Sequence, residues 1–210
     1  MKPLKRRILD LSYQNKLSHI GSCLTAVDII DDIYQEMIQR NNPDDRFVLS
    51  SGHAGLALYV VLEKYFGFSA QEMLDAQGIH PTTTTDRTNL IHCSTGSLGL
   101  GLPIALGMAI PDPYSNVYCL ISDGECAEGS VWETLNFLEE NYTPNLKISL
   151  NFNGLGAYRR IDKDLLHILD AFKTPIETSI NTGPPLPFLA GLDAHYKVLS
   201  KEEYESAIEL

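Results

Sequence analysis

A chain of 210 residues that is 44% hydrophobic and 20% charged is long enough for one domain with a sizeable core, and has the balance of a globular protein. Its net charge of −11 argues against a nucleic-acid footprint, which is normally basic, and leaves no long-range attraction for anionic ligands. Any phosphate site must therefore be built locally, from amides, a metal and a few histidines. The longest weakly apolar run, 98–110, is broken by glycines and a proline and is too short to span a membrane. The basic start (Lys2, Lys5, Arg6, Arg7) is followed by no apolar signal core. Cys23, Cys93, Cys119 and Cys126 show no CxxC spacing, so a reduced, cytoplasmic setting is expected.

In chain order, residues 3–17 read as a short basic amphipathic helix, with Leu4, Ile8, Leu11 and Leu17 on one face. Ser18-His19-Ile20-Gly21-Ser22 follows as a tight turn. Thr25, with Asp28 three residues on, has the pattern of a capping box, and the helix it opens (25–40) carries Val27, Ile30, Ile33, Tyr34 and Met37 at helical spacing. A turn at 41–45 leads into a strand at 46–50. Ser51-Gly52-His53-Ala54-Gly55 then starts a helix bearing Leu56, Val60, Val61 and Tyr65. Small residues at such a strand-to-helix turn let backbone amides approach an anion. Ser69 caps a short helix, 70–77. Residues 77–89, with four consecutive threonines and no apolar period, read as a loop. The glycines of 94–101 precede a helix over 98–109, and taken alone they fit a close helix–helix contact.

The stretch 117–162 carries the chemistry. An apolar run, 117–121, reads as a buried parallel strand. Ser122-Asp123-Gly124 breaks it, a helix follows over 128–140, and a second strand, 146–150, ends at Asn151-Phe152-Asn153-Gly154. In a right-handed parallel unit both turns fall at the carboxyl edge of the sheet, so Asp123 and Asn153 face one crevice. A carboxylate and an amide oxygen are hard ligands suited to Mg²⁺ or Ca²⁺, with phosphate and water completing the shell. The amides of Gly124 and Glu125 can donate to a phosphate there. The same residues also fit a plain Asp cap and Asn-Gly turn. Beyond 162, residues 162–172 read as helical, 182–187 as a Gly/Pro loop and 202–210 as a terminal helix.

Asp123-Gly124, Glu128-Gly129 and Asn153-Gly154-Leu155 together resemble the thiamine diphosphate motif of transketolases, with Ser122 in place of the family's first glycine. Ser18-His19-Ile20-Gly21, the run 46–53 and the run 94–101 are also similar to transketolase, in the family's order. The resemblance covers the amino-terminal, diphosphate-binding domain, best over 18–155. It implies a doubly wound, mainly parallel α/β sheet with helices on both faces. It implies a single such domain over 1–210, without the pyrimidine-binding domain.

By the same resemblance, Asp123 and Asn153 hold the metal through side chains and Leu155 through its carbonyl. His53, Gly96, Leu98, Gly124, Glu125 and Asn153 bind the cofactor, thiamine diphosphate with Mg²⁺ or Ca²⁺. His19 and His80 serve the substrate, with His92 a rival for the space of His80, and Glu128 lies at a dimer contact. A polar contact is lost where Leu100 replaces a glutamine common in the family. The family's further strand and histidine-bearing loop after this region have no expected counterpart here.

The implied activity is transfer of a two-carbon ketol unit from a ketose to an aldose, either of them phosphorylated. It implies a transferase formed with a separate pyrimidine-binding subunit in an α2β2 assembly. The alternatives are another thiamine-dependent enzyme, such as a 1-deoxyxylulose-phosphate-synthase-like condensing enzyme, or a non-catalytic diphosphate-binding module. A Rossmann-type nucleotide binder is disfavoured, because no GxGxxG follows the first strand.

Overall fold

The computed structural model describes residues 1–83, 89–156, 159–181, 185–191 and 195–210. The expected loops over 77–89 and 182–187 and the link after Gly156 lie partly outside these residues. The strands β1 (Arg46–Leu49), β2 (Val117–Ser122), β3 (Leu146–Phe152) and β4 (Ile176–Ile180) form one parallel sheet in the order β1-β2-β3-β4. The helices are α1 (Pro3–Gln14), α2 (Ile20–Arg40), α3 (Gly55–Phe66), α4 (Ala70–Gln77), α5 (Gly101–Ala109), α6 (Gly129–Glu140), α7 (Asp164–Leu169) and α8 (Lys201–Ile208). None of the described helices is long and apolar enough to cross a membrane.

Side-chain alternation along the strands builds two cores. Phe47, Leu49, Tyr118 and Leu120 point to one face, where α1, α2 and α3 bury Leu9, Ile30 and Tyr59. Val48, Cys119, Ile121, Ile148 and Leu150 point to the other, against Leu102 and Leu106 of α5 and Leu135 of α6. The expected parallel α/β sheet with helices on both faces is thus observed. β3 is apolar on one face only. Its other face carries Ser149 and Asn151, both buried, and Asn151 Nδ2 donates to Thr25 Oγ1 of α2 at 2.9 Å.

That contact explains one departure from the sequence reading. Helix α2 begins at Ile20, so Thr25 lies inside the helix and caps nothing. Its hydroxyl donates back to the carbonyls of Gly21 and Ser22, at 3.1 and 3.2 Å, and accepts from Asn151. Other bounds shift by a turn or less: α1 stops at Gln14, α5 starts at Gly101, and β3 runs on to Phe152. Ser69 caps α4 as expected, accepting from Glu72 N at 3.2 Å.

A larger correction concerns the end of the chain. The expectation that no further strand follows is overturned: β4 pairs with β3 from Ile148↔Ile176 to Phe152↔Ile180. Ile176-Glu177-Thr178-Ser179-Ile180 is apolar only at its ends and is largely exposed, so it lacks the apolar run that marks the inner strands.

The register Ser122↔Asn151 sets the turns after β2 and β3 side by side. A third segment, the glycine loop before α5, is pressed onto the first turn. Gly99 has φ +79°, and a β-carbon there would stand 2.6 Å from Glu128 Cβ and 2.7 Å from Ser130 Oγ. Gly107, exposed on α5, has nothing within 4 Å of its would-be β-carbon. The two positions should respond with opposite signs. In urea unfolding, Gly99→Ala is expected to lose about 1–3 kcal/mol, and Gly107→Ala to gain up to about 1 kcal/mol.

Candidate active site

The carboxyl edge of the sheet is held by two buried carboxylates. Asp123, which follows β2, is 1% exposed. Its Oδ2 accepts from the amides of Asn153 (3.1 Å) and Gly154 (2.6 Å), and its Oδ1 accepts from the amide of Gly124 (2.9 Å). It therefore ties the turn after β2 to the turn after β3. Burial pushes its pKa up to about 6, against the three amide bonds that lower it. A carboxylate so placed gains from a cation beside it.

Glu125 is fully buried. Its Oε1 accepts from Ser50 Oγ at 2.5 Å and Gly99 N at 2.9 Å; its Oε2 accepts from Ser122 N at 3.0 Å and Ser122 Oγ at 3.2 Å. Burial raises its pKa, and these bonds oppose the rise. One carboxylate thus joins the end of β1, the glycine loop and the turn after β2. The side chain is structural. Only the backbone of Glu125 remains for the ligand role expected of it.

Histidines converge on the same edge from separate elements. His19, in the left-handed conformation at φ +61°, is the residue before α2. His53 sits in the one-turn segment Gly52–Ala54 between β1 and α3. His195 follows β4 in sequence, and its carbonyl accepts from His19 N at 3.0 Å. Ring centroids are 5.1 Å apart for His19–His53, 4.5 Å for His19–His195 and 5.3 Å for His53–His195. Burial lowers all three pKa values, with mutual repulsion adding at His19 and His53, to about 4 at His19 and about 3 at His53. The three rings are neutral at pH 7.

His80 is exposed at the rim. Its ring is 3.1 Å from where a β-carbon on Gly96 would lie, and it bears electrostatically on His19 and His53. Its rival is placed elsewhere: His92 Nδ1 accepts from Phe47 N at 3.0 Å, near the start of β1 and away from the carboxyl edge.

A pocket opens where these groups meet. Its wall includes His53, Leu98, Gly124, Asn153, Leu155 and His195. Of the expected site residues, Asp123 lies beneath this wall. Asn153 Oδ1 accepts from Leu155 N at 2.8 Å, and Gly124 N is engaged by Asp123. His195 is the residue that sequence reasoning missed, having expected the family's later loop histidine to have no counterpart here. The available signal was weak: a His-Tyr pair beyond a Gly/Pro loop. What singles it out is the backbone bond to His19, which only folding reveals.

The donor set suits a metal–diphosphate ligand. Asp123, Asn153 and the Leu155 carbonyl offer hard oxygens, and His53 and His195 bring neutral imidazoles to the same pocket. The profile described as "Transketolase, thiamine diphosphate binding domain" matches residues 5–139, a span that holds Asp123 but not Asn153. Human transketolase is 37% identical over 155 residues, 66% of this chain and 24% of its own length. One of the subunits of the apulose-4-phosphate transketolase of Phocaeicola vulgatus is 35% identical over 147 residues, 61% of this chain and 50% of its own. The chain thus spans about a quarter of the length of human transketolase and half of the Phocaeicola protein. Among solved structures, a transketolase of Pichia stipitis superposes with a TM-score of 0.72 at 17% identity, over 97% of this chain and 39% of the other, a likeness of fold.

Two measurements follow. His19 and His53 titrate near 4 and 3 when folded against 6.5 when free, so the unfolded chain binds more protons below about 6.5. Stability present above pH 6.5 is lost as pH falls toward 4 and 3. Asp123, raised from 3.8 to about 6, works in the opposite sense over a smaller shift. The urea midpoint should therefore be lower at pH 5 than at pH 7, and the difference should shrink in His53→Asn. Glu125→Ala strands four donors and should cost about 3 kcal/mol or more in the same assay.

Proposed function

The chain belongs to the transketolase family through its thiamine diphosphate-binding domain, and on that premise we propose that it is the diphosphate-anchoring subunit of a split transketolase. In this reading the side chains of Asp123 and Asn153 and the carbonyl of Leu155 hold Mg²⁺ or Ca²⁺. The amides of Gly124 and Glu125, with Gly96 and His53, hold the diphosphate, and Leu98 packs on the cofactor. Thiamine diphosphate, when bound, supplies the electron sink for transferring a two-carbon ketol unit from a ketose to an aldose, sugar phosphates among them. His19, His80 and His195 line the approach and move protons at substrate oxygens; as neutral imidazoles, His19 and His195 accept them. The observation that carries the reading is the shared wall, where the turns after β2 and β3 meet the histidines.

The split arrangement rests on the Phocaeicola relative, whose name describes one subunit of a transketolase. We infer that residues 1–210 form one domain and that a second chain supplies the aminopyrimidine site, in an α2β2 assembly. Exposed Leu100, Ile104 and Phe137 on and beside α5 and α6, next to exposed Glu128, offer that chain an apolar surface. Four free thiols suit a cytoplasmic setting.

Calorimetric titration of thiamine diphosphate with Mg²⁺ should show metal-dependent binding that Asp123→Ala abolishes. Asp123→Asn, whose single side-chain oxygen can keep the bonds from Asn153 and Gly154 but not the one from Gly124, should weaken binding while the fold persists. No binding, even with a pyrimidine-domain chain added, would defeat the cofactor assignment. The purified chain alone should not turn over ketose and aldose; turnover without a second chain would defeat the split.

A further inference from the structure

We propose that His19, His53 and His195 form a binding site for a borderline-soft divalent transition metal, Zn²⁺ above all, distinct in ligand chemistry from the oxygen set around Asp123. One ring nitrogen from each of the three lies within 4.8 Å of the other two. Zinc binds imidazole nitrogen at about 2.0–2.1 Å, which puts tetrahedral partners about 3.4 Å apart. The rings must therefore close by roughly 1.4 Å or less, a movement that imidazole rotation and small side-chain shifts can supply.

Three further features favour a metal. His19 Nδ1 is buried and has no hydrogen-bond partner among the described residues, so one ring donor or acceptor of the cluster stands unused. The His19 N to His195 O bond fixes two of the ligands relative to each other before any ion arrives. Tyr196 packs its ring edgewise on both His19 and His195, at 5.5 and 5.0 Å between centroids, and limits their swing. Among the described residues, no carboxylate joins the three rings in this cluster. Mg²⁺ and Ca²⁺ demand oxygen, whereas imidazole suits Zn²⁺, Co²⁺ and Ni²⁺, so the two ligand sets sort metals between them. Three histidines leave a fourth position open toward the pocket, whose wall holds His53 and His195.

Metal binding by the cluster stands apart from the proposed function; its consequence for the cofactor rests on that reading. Zinc there would withdraw His53 and His195 from the cofactor wall and weaken binding of thiamine diphosphate with Mg²⁺.

The test uses the full chain, freed of metal and without thiamine diphosphate. Co²⁺ should bind with one equivalent and give the intense visible bands of a tetrahedral nitrogen-rich site, and Zn²⁺ should displace it. His195→Ala should weaken Co²⁺ binding about tenfold or more. His53→Gln, a gentler change, should do likewise with an unaltered far-UV spectrum. Asp123→Asn and a large excess of Mg²⁺ should leave the bands unchanged. Absence of tetrahedral bands, thiolate charge-transfer bands pointing to cysteine, or bands indifferent to both histidine variants would each overturn the proposal. Failure of thiamine diphosphate to bind would leave the cobalt spectrum untouched, so the two readings fail separately.

Discussion

The candidate site depends on one desolvated carboxylate. Among the described residues Glu125 has no cation beside it, and it relies on hydroxyl and amide donors from Ser50, Gly99 and Ser122. Those donors come from the three segments that must meet at the carboxyl edge. A buried acid satisfied in this way is costly to disturb and permits only one mutual placement of its partners. Asp123, two residues earlier, extends the same logic to the turn after β3. The acidic turn after β2 is therefore both floor and frame of the pocket. Its ligand-facing groups inherit their positions from side chains that do not themselves line the wall.

Burial acts on the acids and bases of this edge in opposite directions. It lifts Asp123 toward neutrality and holds His19 and His53 neutral. The pocket is consequently less charged than its residues suggest, in a chain of net charge −11. Such a site gives little to an anion or a hard, oxygen-seeking cation arriving alone. A cation and an anion arriving together compensate each other, and each restores favourable conditions for the protein group opposite. That is a physical reason for a metal–diphosphate pair to suit this edge.

Much of the fold was legible because the inner strands and long helices carry strong patterns. The run 117–121 is continuous in apolar residues and 146–150 alternates them with Lys147 and Ser149, and the pairing of β2 with β3 made the meeting of Asp123 with the turn at Asn153 foreseeable. The start of α2 was misread because Thr25 and Asp28 mimic a cap, while the hydroxyl in fact serves Asn151, 126 positions away. The strand β4 was missed because an exposed edge strand needs no apolar run. His195 was missed for a related reason: its significance lies in a main-chain bond to His19, and main-chain atoms have no sequence signature. His80 and His92 were indistinguishable in sequence. Structure separates them, since His92 serves the edge of β1 near Phe47.

The bond from His19 N to His195 O joins residues near opposite ends of the chain, and it is not alone. Tyr13 of α1 stacks on Tyr204 of α8 with centroids 4.4 Å apart, and Tyr204 donates to Asp10 at 2.7 Å. Both ends are thus brought to the same flank of the domain. Contacts of such long sequence separation carry the largest loop-closure entropy and form slowly. The sheet and its acidic turn can assemble from contacts of shorter span. The histidine cluster is completed only when His195 returns to His19 across most of the described residues, which couples the site's integrity to the docking of α8 on α1.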